Sequence, residues 1–382
     1  MSRPISRRLL HSRTINHIST RKFSSTTRTL ADHVRIVEVG PRDGLQNEKT
    51  AIPAETKIEL VNRLARTGLQ TIEAGSFVHP KWVPQMAASD QVLSSILENP
   101  PASDGDITYQ WLLPNMKGLE NYLQVMNSHN KPRAAREDPT PPPPSPSPSH
   151  DANADLNARK TPQQQRHTIS IFTSATETFS QKNTNSTIQE SLSTILPPLI
   201  RASTSAGYSI RAYISVALGC PFEGPNVSPH TVASLAASLL SLGAEEIVLA
   251  DTTGMGTAPR TRKLLQTLHE AGVQNSDIAM HFHDTYGQAL INTMVSLDHG
   301  IRKFDSAVGG LGGCPYSPGA TGNLATEDLV YCLQSLGAET GGIDLEEVSR
   351  VGAWITGEVL GKENASSVGK AVLARLKREA DA

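Results

Sequence analysis

The chain has 382 residues, which is enough for one large domain or two ordinary ones, and a formal net charge of −2. Its 38% of hydrophobic residues can form a sizeable core. No stretch approaches the roughly 18 consecutive apolar residues of a membrane-spanning helix, which excludes an integral membrane protein, and no membrane partner is expected. Three scattered cysteines are too few for a disulfide framework and favour either a reducing compartment or thiols that are kept for chemistry.

The N-terminal segment differs from the rest of the chain. Residues 1–31 contain seven basic residues, no acidic residue and many serines and threonines, a composition typical of a mitochondrial transit peptide. A disordered basic tail without a targeting role is the alternative. We predict a disordered transit peptide over residues 1–31, one folded domain over residues 32–382 and a location in the mitochondrial matrix. Without the seven positive charges the net charge of −2 becomes −9, which argues against a nucleic-acid partner.

A second unusual segment interrupts the folded part. Residues 132–162 contain nine of the 25 prolines, mixed with serine, asparagine and glutamine. Such a segment buries too little apolar surface to offset its chain entropy, so residues 127–166 are predicted to form a disordered or polyproline-II insertion. Docking of a proline-recognising partner is the alternative to a tolerated surface insertion.

Outside these segments, short β-rich runs alternate with helical patterns. Strands are predicted at residues 34–39, 70–73, 107–113, 168–172, 210–216, 246–250, 278–282 and 303–308. Helices are predicted at residues 55–67, 89–97, 119–125, 188–206, 229–242, 260–270, 288–299 and 325–336. This alternation predicts an α/β fold, a (β/α)8 TIM barrel with an additional C-terminal helical segment. A doubly wound open sheet is the alternative, but the turn at residues 40–44 lacks the G-x-G-x-x-G spacing of its nucleotide-binding members.

Polar residues follow several of the predicted strands. In a barrel the carboxyl ends of the strands meet at one rim, where barrel enzymes carry their chemistry. The candidates at this rim are Arg42, Asp43, Glu73, Ser76, Asp251, Thr252, His281, His283 and the glycine-rich loop that leads to Cys314. Their convergence is the main functional signal of the sequence.

The sharpest pattern is His281-Phe282-His283. Residues i and i+2 of a strand face the same side, so both imidazoles could reach one ion, with Asp43 as an oxygen ligand. A mixed site of this kind suits Mn, Mg or Zn; the alternative is that one histidine belongs to the core. Arg42 could stabilise a developing oxyanion or form a surface pair with Asp43. Cys314 could transfer a proton when its loop closes, or be a small buried thiol in a flexible turn.

Several stretches together resemble the family of 3-hydroxy-3-methylglutaryl-CoA (HMG-CoA) lyases. They are VEVGPRDGLQNE at residues 37–48, SFV at 76–78, PKWVPQM at 80–86, ALGCP at 217–221, HFHDTYGQA at 281–289, GGLGGCPY at 309–316 and GNLATED at 322–328. The resemblance runs from about residue 34 to 372, apart from the insertion. Isopropylmalate and homocitrate synthases share the Arg-Asp and His-x-His elements, and the glycine-rich loop with Cys314 favours the lyases.

The resemblance implies metal-dependent cleavage of HMG-CoA, a CoA thioester, to acetyl-CoA and acetoacetate. It implies Mg or Mn as cofactor and a homodimer. The implied metal ligands are Asp43, His281, His283 and Asn323, although Asn323 by itself indicates a helix N-cap. The implied catalytic residues are Arg42, Asp43, Glu73, His281 and Cys314, and the substrate-binding residues are Arg42, Gln46, Ser76 and Thr252. Two alternatives stay open: a Claisen-type condensing enzyme or other CoA-ester aldolase, and an inactive barrel that serves as a proline-rich scaffold.

Overall fold

The computed structural model describes residues 33–103, 105–129, 166–313 and 322–382. The predicted transit peptide, nearly all of the predicted insertion and Cys314 lie outside these residues. Eight strands pair with their neighbours in chain order, all in parallel, and the first strand also pairs with the eighth. The sheet is therefore a closed barrel, which confirms the predicted TIM-barrel fold and excludes the open sheet.

The strands and helices alternate as the sequence predicts. The strands are β1 Arg35–Glu38, β2 Thr71–Ser76, β3 Thr108–Leu112, β4 Arg166–Ser174, β5 Ser209–Ser215, β6 Glu246–Asp251, β7 Ile278–Phe282 and β8 Lys303–Ser306. The helices are α1 Ala54–Ala65, α2 Ser89–Glu98, α3 Met116–His129, α4 Glu177–Thr184, α5 Ile188–Glu190, α6 Leu196–Ser205, α7 Pro229–Leu242, α8 Ala258–Glu270, α9 Ala289–Asp298, α10 Thr326–Ser335, α11 Leu345–Ala353 and α12 Ser367–Ala380. Among the described residues, no helix combines the length and the apolar character needed to cross a membrane.

Burial explains why the strand runs are so apolar. Every residue of β2, β6 and β7 is buried, because the surrounding helices cover the outer face of the barrel and side chains fill its interior. The helices bury one side only. In α7, Val232, Leu235, Ala236 and Leu239 are buried at helical spacing.

Local signals set the ends of α7 where the sequence predicts them. The Ser228 hydroxyl accepts a hydrogen bond from the Thr231 amide, and Pro229 occupies the first helical position, where no backbone donor is needed. At the other end Gly243 adopts φ 110°, a left-handed conformation that terminates the helix. Start and stop residues of this kind make the bounds of a helix predictable from sequence.

The helices between β4 and β5 differ from the prediction in two respects. The helix predicted over residues 188–206 is divided into α5, a π-helical segment at Ser191–Ile195 and α6, which has a proline in its first turn. Helix α4 was not predicted, because only Phe179 and Ser180 of its eight residues are buried and its pattern carries no clear period. Helices α11 and α12 supply the predicted C-terminal helical segment.

Candidate metal centre and active site

A tight turn after β1 positions Arg42 and Asp43. Residues Gly40–Gly44 form a single π-helical turn, and the buried Glu38 carboxylate holds its start by accepting a hydrogen bond from the Gly40 amide at 2.8 Å. The same carboxylate accepts the Val308 amide at 3.0 Å and the Thr326 hydroxyl at 2.6 Å. Burial raises the pKa of Glu38 to about 7 despite these donors. The turn is thus tied to the segment that follows β8.

Arg42 is part of a buried ion-pair network and not of a surface pair. Its residue exposure is 5%, and its Nε and Nη2 lie 2.7 and 2.6 Å from Glu73 Oε2. Its Nη1 donates to Asp43 Oδ1 at 2.7 Å. Burial by itself would lower the pKa of Arg42, but the carboxylates of Glu73 and Asp43 raise it above its ordinary value. The guanidinium therefore stays charged and fixed in direction at the rim.

Asp43, His281 and His283 form a possible metal site. Each offers one ligand atom within 4.8 Å of the other two, and the two imidazole rings lie 5.3 Å apart between centroids. Burial would raise the pKa of Asp43, but Arg42 and the two histidines lower it to about 2. Burial lowers the pKa of His283 to about 4. Both groups therefore stay deprotonated at neutral pH, which is the state that binds a cation.

Asn323 lies beside this group and does not cap a helix, since α10 begins after Ala325. Its Nδ2 donates to Asp43 Oδ2 at 2.9 Å, and its backbone forms an antiparallel bridge with His283. Asn323 Oδ1 and His283 Nδ1 are buried without a hydrogen-bond partner. A buried oxygen and a buried nitrogen that lack partners, next to a carboxylate and a second imidazole, fit a mixed nitrogen and oxygen cation site.

A second layer of charged side chains lies behind the site and was missed from sequence. His281 Nδ1 lies 3.1 Å from Asp305 Oδ2, and Arg211 binds both oxygens of the Asp305 carboxylate. Arg211 Nη1 also donates to the Tyr213 hydroxyl, which donates to Glu73 Oε2 at 3.2 Å. The available signal was a charged residue inside a strand, at Arg211 in β5 and at Asp305 in β8.

The predicted substrate-binding residues have different environments. Ser76 is buried at the end of β2, and its hydroxyl donates to the Leu112 carbonyl at 3.0 Å. Thr252 is half-buried after β6, and its hydroxyl accepts the Val216 amide at 2.9 Å. Gln46 is half-buried just beyond the turn that carries Arg42. Both hydroxyls hold backbone in place, so a role in binding stays a prediction for all three.

The remaining candidates at the rim are Asp251 and the cysteines. Asp251 is buried at the end of β6; its Oδ2 accepts the Gly256 amide at 3.0 Å, and burial raises its pKa to about 7. Cys220 is buried with its Sγ 3.2 Å from the Thr176 hydroxyl. The structure describes no atom of Cys314, so its predicted role stays a prediction.

Taken together, a closed eight-stranded barrel with a possible cation site at the carboxyl ends of its strands defines the class of the protein, a (β/α)8-barrel with the site architecture of an enzyme. The HMGL-like family model matches residues 33–129 and 147–355. The chain belongs to the HMGL-like family.

Individual relatives agree with this membership. The chain is 43% identical over 349 residues to the mitochondrial hydroxymethylglutaryl-CoA lyase of Rattus norvegicus, covering 91% of this chain and 92% of that protein. It is similar to the crystal structure of hydroxymethylglutaryl-CoA lyase from Pseudomonas aeruginosa, with TM-score 0.75, 41% identity and coverage of 91% and 99%. It is also similar to an HMG-CoA lyase from Acenitobacter baumannii solved in complex with coenzyme A and 3-methylmalate, with TM-score 0.72, 30% identity and coverage of 89% and 95%.

Proposed function

We propose that the protein is a carbon–carbon lyase that cleaves HMG-CoA to acetyl-CoA and acetoacetate. The observation that carries this proposal is that the segments shared with known lyases supply the side chains that meet at one rim of the barrel. Relatives called hydroxymethylglutaryl-CoA lyase match nearly the whole chain, and Arg42, Asp43, His281 and His283 of the matching segments converge in space. The relative that was solved with coenzyme A supports a CoA thioester as the substrate class.

The residues at the rim fit a divalent cation, which we propose to be Mg or Mn held by Asp43, His281, His283 and Asn323. Such a cation supplies Lewis acidity, which lowers the pKa of an alcohol and fixes its geometry. The deprotonated state of Asp43 and His283, the burial of both histidines and the unpartnered Asn323 oxygen support this ligand set. The ligand set, and not the identity of the metal, is what the side chains support.

The chain's own residues can carry the remaining chemistry. Arg42 uses three of its N–H groups on Glu73 and Asp43, so two of its five donors stay available for the thioester oxygen on which enolate charge develops. Glu73 orients this guanidinium. We assign removal of the tertiary hydroxyl proton to Asp43 or His283, and return of a proton to the enolate carbon to Cys314. The bond that breaks joins the tertiary carbon that carries the hydroxyl to the carbon next to the thioester, and its electron pair becomes the enolate of acetyl-CoA.

The direct test measures acetoacetate released from HMG-CoA after removal of metal with EDTA and readdition of Mg²⁺ or Mn²⁺. We expect release only with metal, strong loss in His283→Ala, and wild-type activity in His230→Ala, which changes an exposed histidine on α7. Wild-type release in His283→Ala would refute the assigned site. Substitution of Cys314 by serine should retain metal binding and lose at least about tenfold in turnover, since proton-transfer groups contribute more than that.

Two further assays separate the alternatives. Incubation with acetyl-CoA and 2-oxoisovalerate should give no condensation product if the lyase proposal holds, and product formation would favour a condensing enzyme. Deletion of residues 132–162 should leave cleavage intact. Loss of all activity in a folded deletion variant would favour the scaffold alternative.

We propose a mitochondrial matrix location and a homodimer as well. The mitochondrial relatives and the basic composition of residues 1–31 support the location. Import of the full chain into isolated mitochondria with removal of an N-terminal segment would test it, with a chain lacking residues 1–31 as the control. Light scattering of the purified protein would test the dimer, and a monomer mass at micromolar concentration would contradict it.

A further inference from the structure

The carboxylate of Asp305 lies where it can accept a hydrogen bond from the His281 ring. Asp305 lies on β8, is 1% exposed, and has its Oδ2 3.1 Å from His281 Nδ1. Because Arg211 binds both carboxylate oxygens, Asp305 is an ionised acceptor and the proton of this hydrogen bond belongs to His281 Nδ1. With Nδ1 as the donor, the ring nitrogen that can bind a cation is Nε2, the atom that lies 3.8 Å from Asp43 Oδ2.

Arg211 in turn is held from the opposite end of the barrel. Its Nε donates to Glu246 Oε1 at 2.6 Å, and Glu246 is the first residue of β6, at the amino end of the strands. Glu246 also pairs with Arg35 and Lys303, which line with it a polar cavity of about 470 Å³ at that end. The chain of charges Glu246–Arg211–Asp305–His281 therefore runs through the barrel interior to the rim.

We propose that Asp305, held by Arg211 and Glu246, is a positioning residue that fixes the tautomer and direction of His281 for cation binding. This inference rests on the proposed function insofar as His281 is a metal ligand. A carboxylate that accepts a hydrogen bond from the N–H of a ligating histidine, on the ring nitrogen that does not bind the metal, makes the ligand nitrogen more basic and restricts rotation of the ring. Arg211 suits this role because its N–H donors are spread over three nitrogens, so that Nε holds Glu246 while Nη1 and Nη2 hold Asp305, whereas a lysine carries all of its donors on one nitrogen.

The test is metal affinity, measured by calorimetric titration of Mn²⁺ into EDTA-treated protein without substrate. Loss of a carboxylate behind a ligating histidine typically costs about 10- to 100-fold in metal affinity, and we expect a rise of that size in the Kd of Asp305→Asn. Glu246→Gln should give a smaller rise. Glu245→Gln, which changes the exposed neighbour of Glu246, should stay within about twofold of the wild type, as surface substitutions usually do.

Folding is monitored by thermal unfolding of each metal-free variant, because Asp305→Asn leaves the buried Arg211 charge without its main partner. The double variant Asp305→Asn with Arg211→Met removes both charges, a replacement that buried ion pairs often tolerate, and it should keep the raised Kd. A Kd within about twofold of the wild type in either folded variant would overturn the positioning role and leave a structural one. Absence of acetoacetate release by the wild type would refute the proposed function, whereas the Mn²⁺ comparison would still decide this inference.

Discussion

Replacement of Glu73 by glutamine measures how much the buried Arg42–Glu73 ion pair contributes to the free energy of unfolding. Glu73 is fully buried, and its Oε2 receives two N–H groups of Arg42 and the Tyr213 hydroxyl. Glutamine has nearly the same shape and keeps a carbonyl acceptor, but it removes the negative charge. The guanidinium is then left with Asp43 as its only ionised contact among the described residues.

Removal of one partner of a buried ion pair costs about 3–5 kcal/mol, since the other charge stays desolvated. Because Asp43 still accepts Arg42 Nη1 at 2.7 Å, we expect the lower end, about 3 kcal/mol, in the free energy of unfolding. The matched control is Glu59→Gln on α1. Glu59 pairs with Arg63 at the same 2.7 Å, but the two side chains are 42% and 36% exposed, so the expected loss is about 0.3–0.5 kcal/mol.

Urea denaturation of the metal-free wild type and of both variants at neutral pH measures this contrast without contributions from a bound cation. A loss of about 3 kcal/mol corresponds to more than a hundredfold in the unfolding equilibrium. If Glu73→Gln and Glu59→Gln destabilise the chain to the same extent, burial of the Arg42 pair does not carry the energy assigned to it. The same Glu73→Gln protein should also release acetoacetate more slowly, because Arg42 loses its fixed direction.

Three other predictions test the surroundings of the site. Burial raises the pKa of Glu327 from 4.5 to about 8, so the free energy of unfolding should fall as the pH rises through this interval. Glu327→Gln should remove up to about 1.4 kcal/mol per pH unit of that slope in urea titrations, and an unchanged slope would contradict the assignment. Excess Mn²⁺ should raise the thermal midpoint of the EDTA-treated wild type by mass action and leave that of His283→Ala unchanged. Gly312 has φ 108°, and a Cβ at this position would lie 2.5 Å from Asn323 Nδ2. Gly312→Ala should therefore weaken Mn²⁺ binding and destabilise the chain by about 1–3 kcal/mol. The control Gly357→Ala, whose Cβ meets no atom within 4 Å, should change neither the Mn²⁺ affinity nor the stability.

The barrel could be predicted from sequence because most strand residues are buried, so that short runs rich in apolar and β-branched residues alternate with helical patterns. Strand β7 occupies the predicted residues 278–282, and α7 occupies the predicted residues 229–242. Helix α4 escaped prediction because it buries little and its residues carry no helical period. The division of the transit peptide, the insertion and the folded domain stays a prediction, since the described residues do not include the first two.

The sequence predicts those residues of the site that lie near the carboxyl ends of strands. Arg42, Asp43 and His283 follow strands, and His281 is the penultimate residue of β7. Glu73 lies inside β2, which continues to Ser76 instead of ending at the predicted residue 73. Closure of the barrel brings these residues together. Asn323 was found only through family resemblance, because its contact with Asp43 joins residues 280 positions apart. The pairing of Arg211 with Asp305 spans 94 positions and the pairing with Glu246 spans 35, so neither spacing nor local pattern identifies their partners.

The hydrogen bonds of Tyr213 connect the side chains that orient Arg42 with the side chains that orient His281. Arginine can only donate and an ionised carboxylate can only accept, so the Tyr213 hydroxyl must accept from Arg211 and donate to Glu73. One hydroxyl thus joins the network that directs Arg42 to the network that directs His281. The charges of Arg42, Glu73, Arg211 and Asp305 are buried and compensated by neighbours, so a change at one of these positions leaves another charge without a partner. The rigidity of the candidate active site and the stability of the barrel interior are therefore consequences of the same ion pairs.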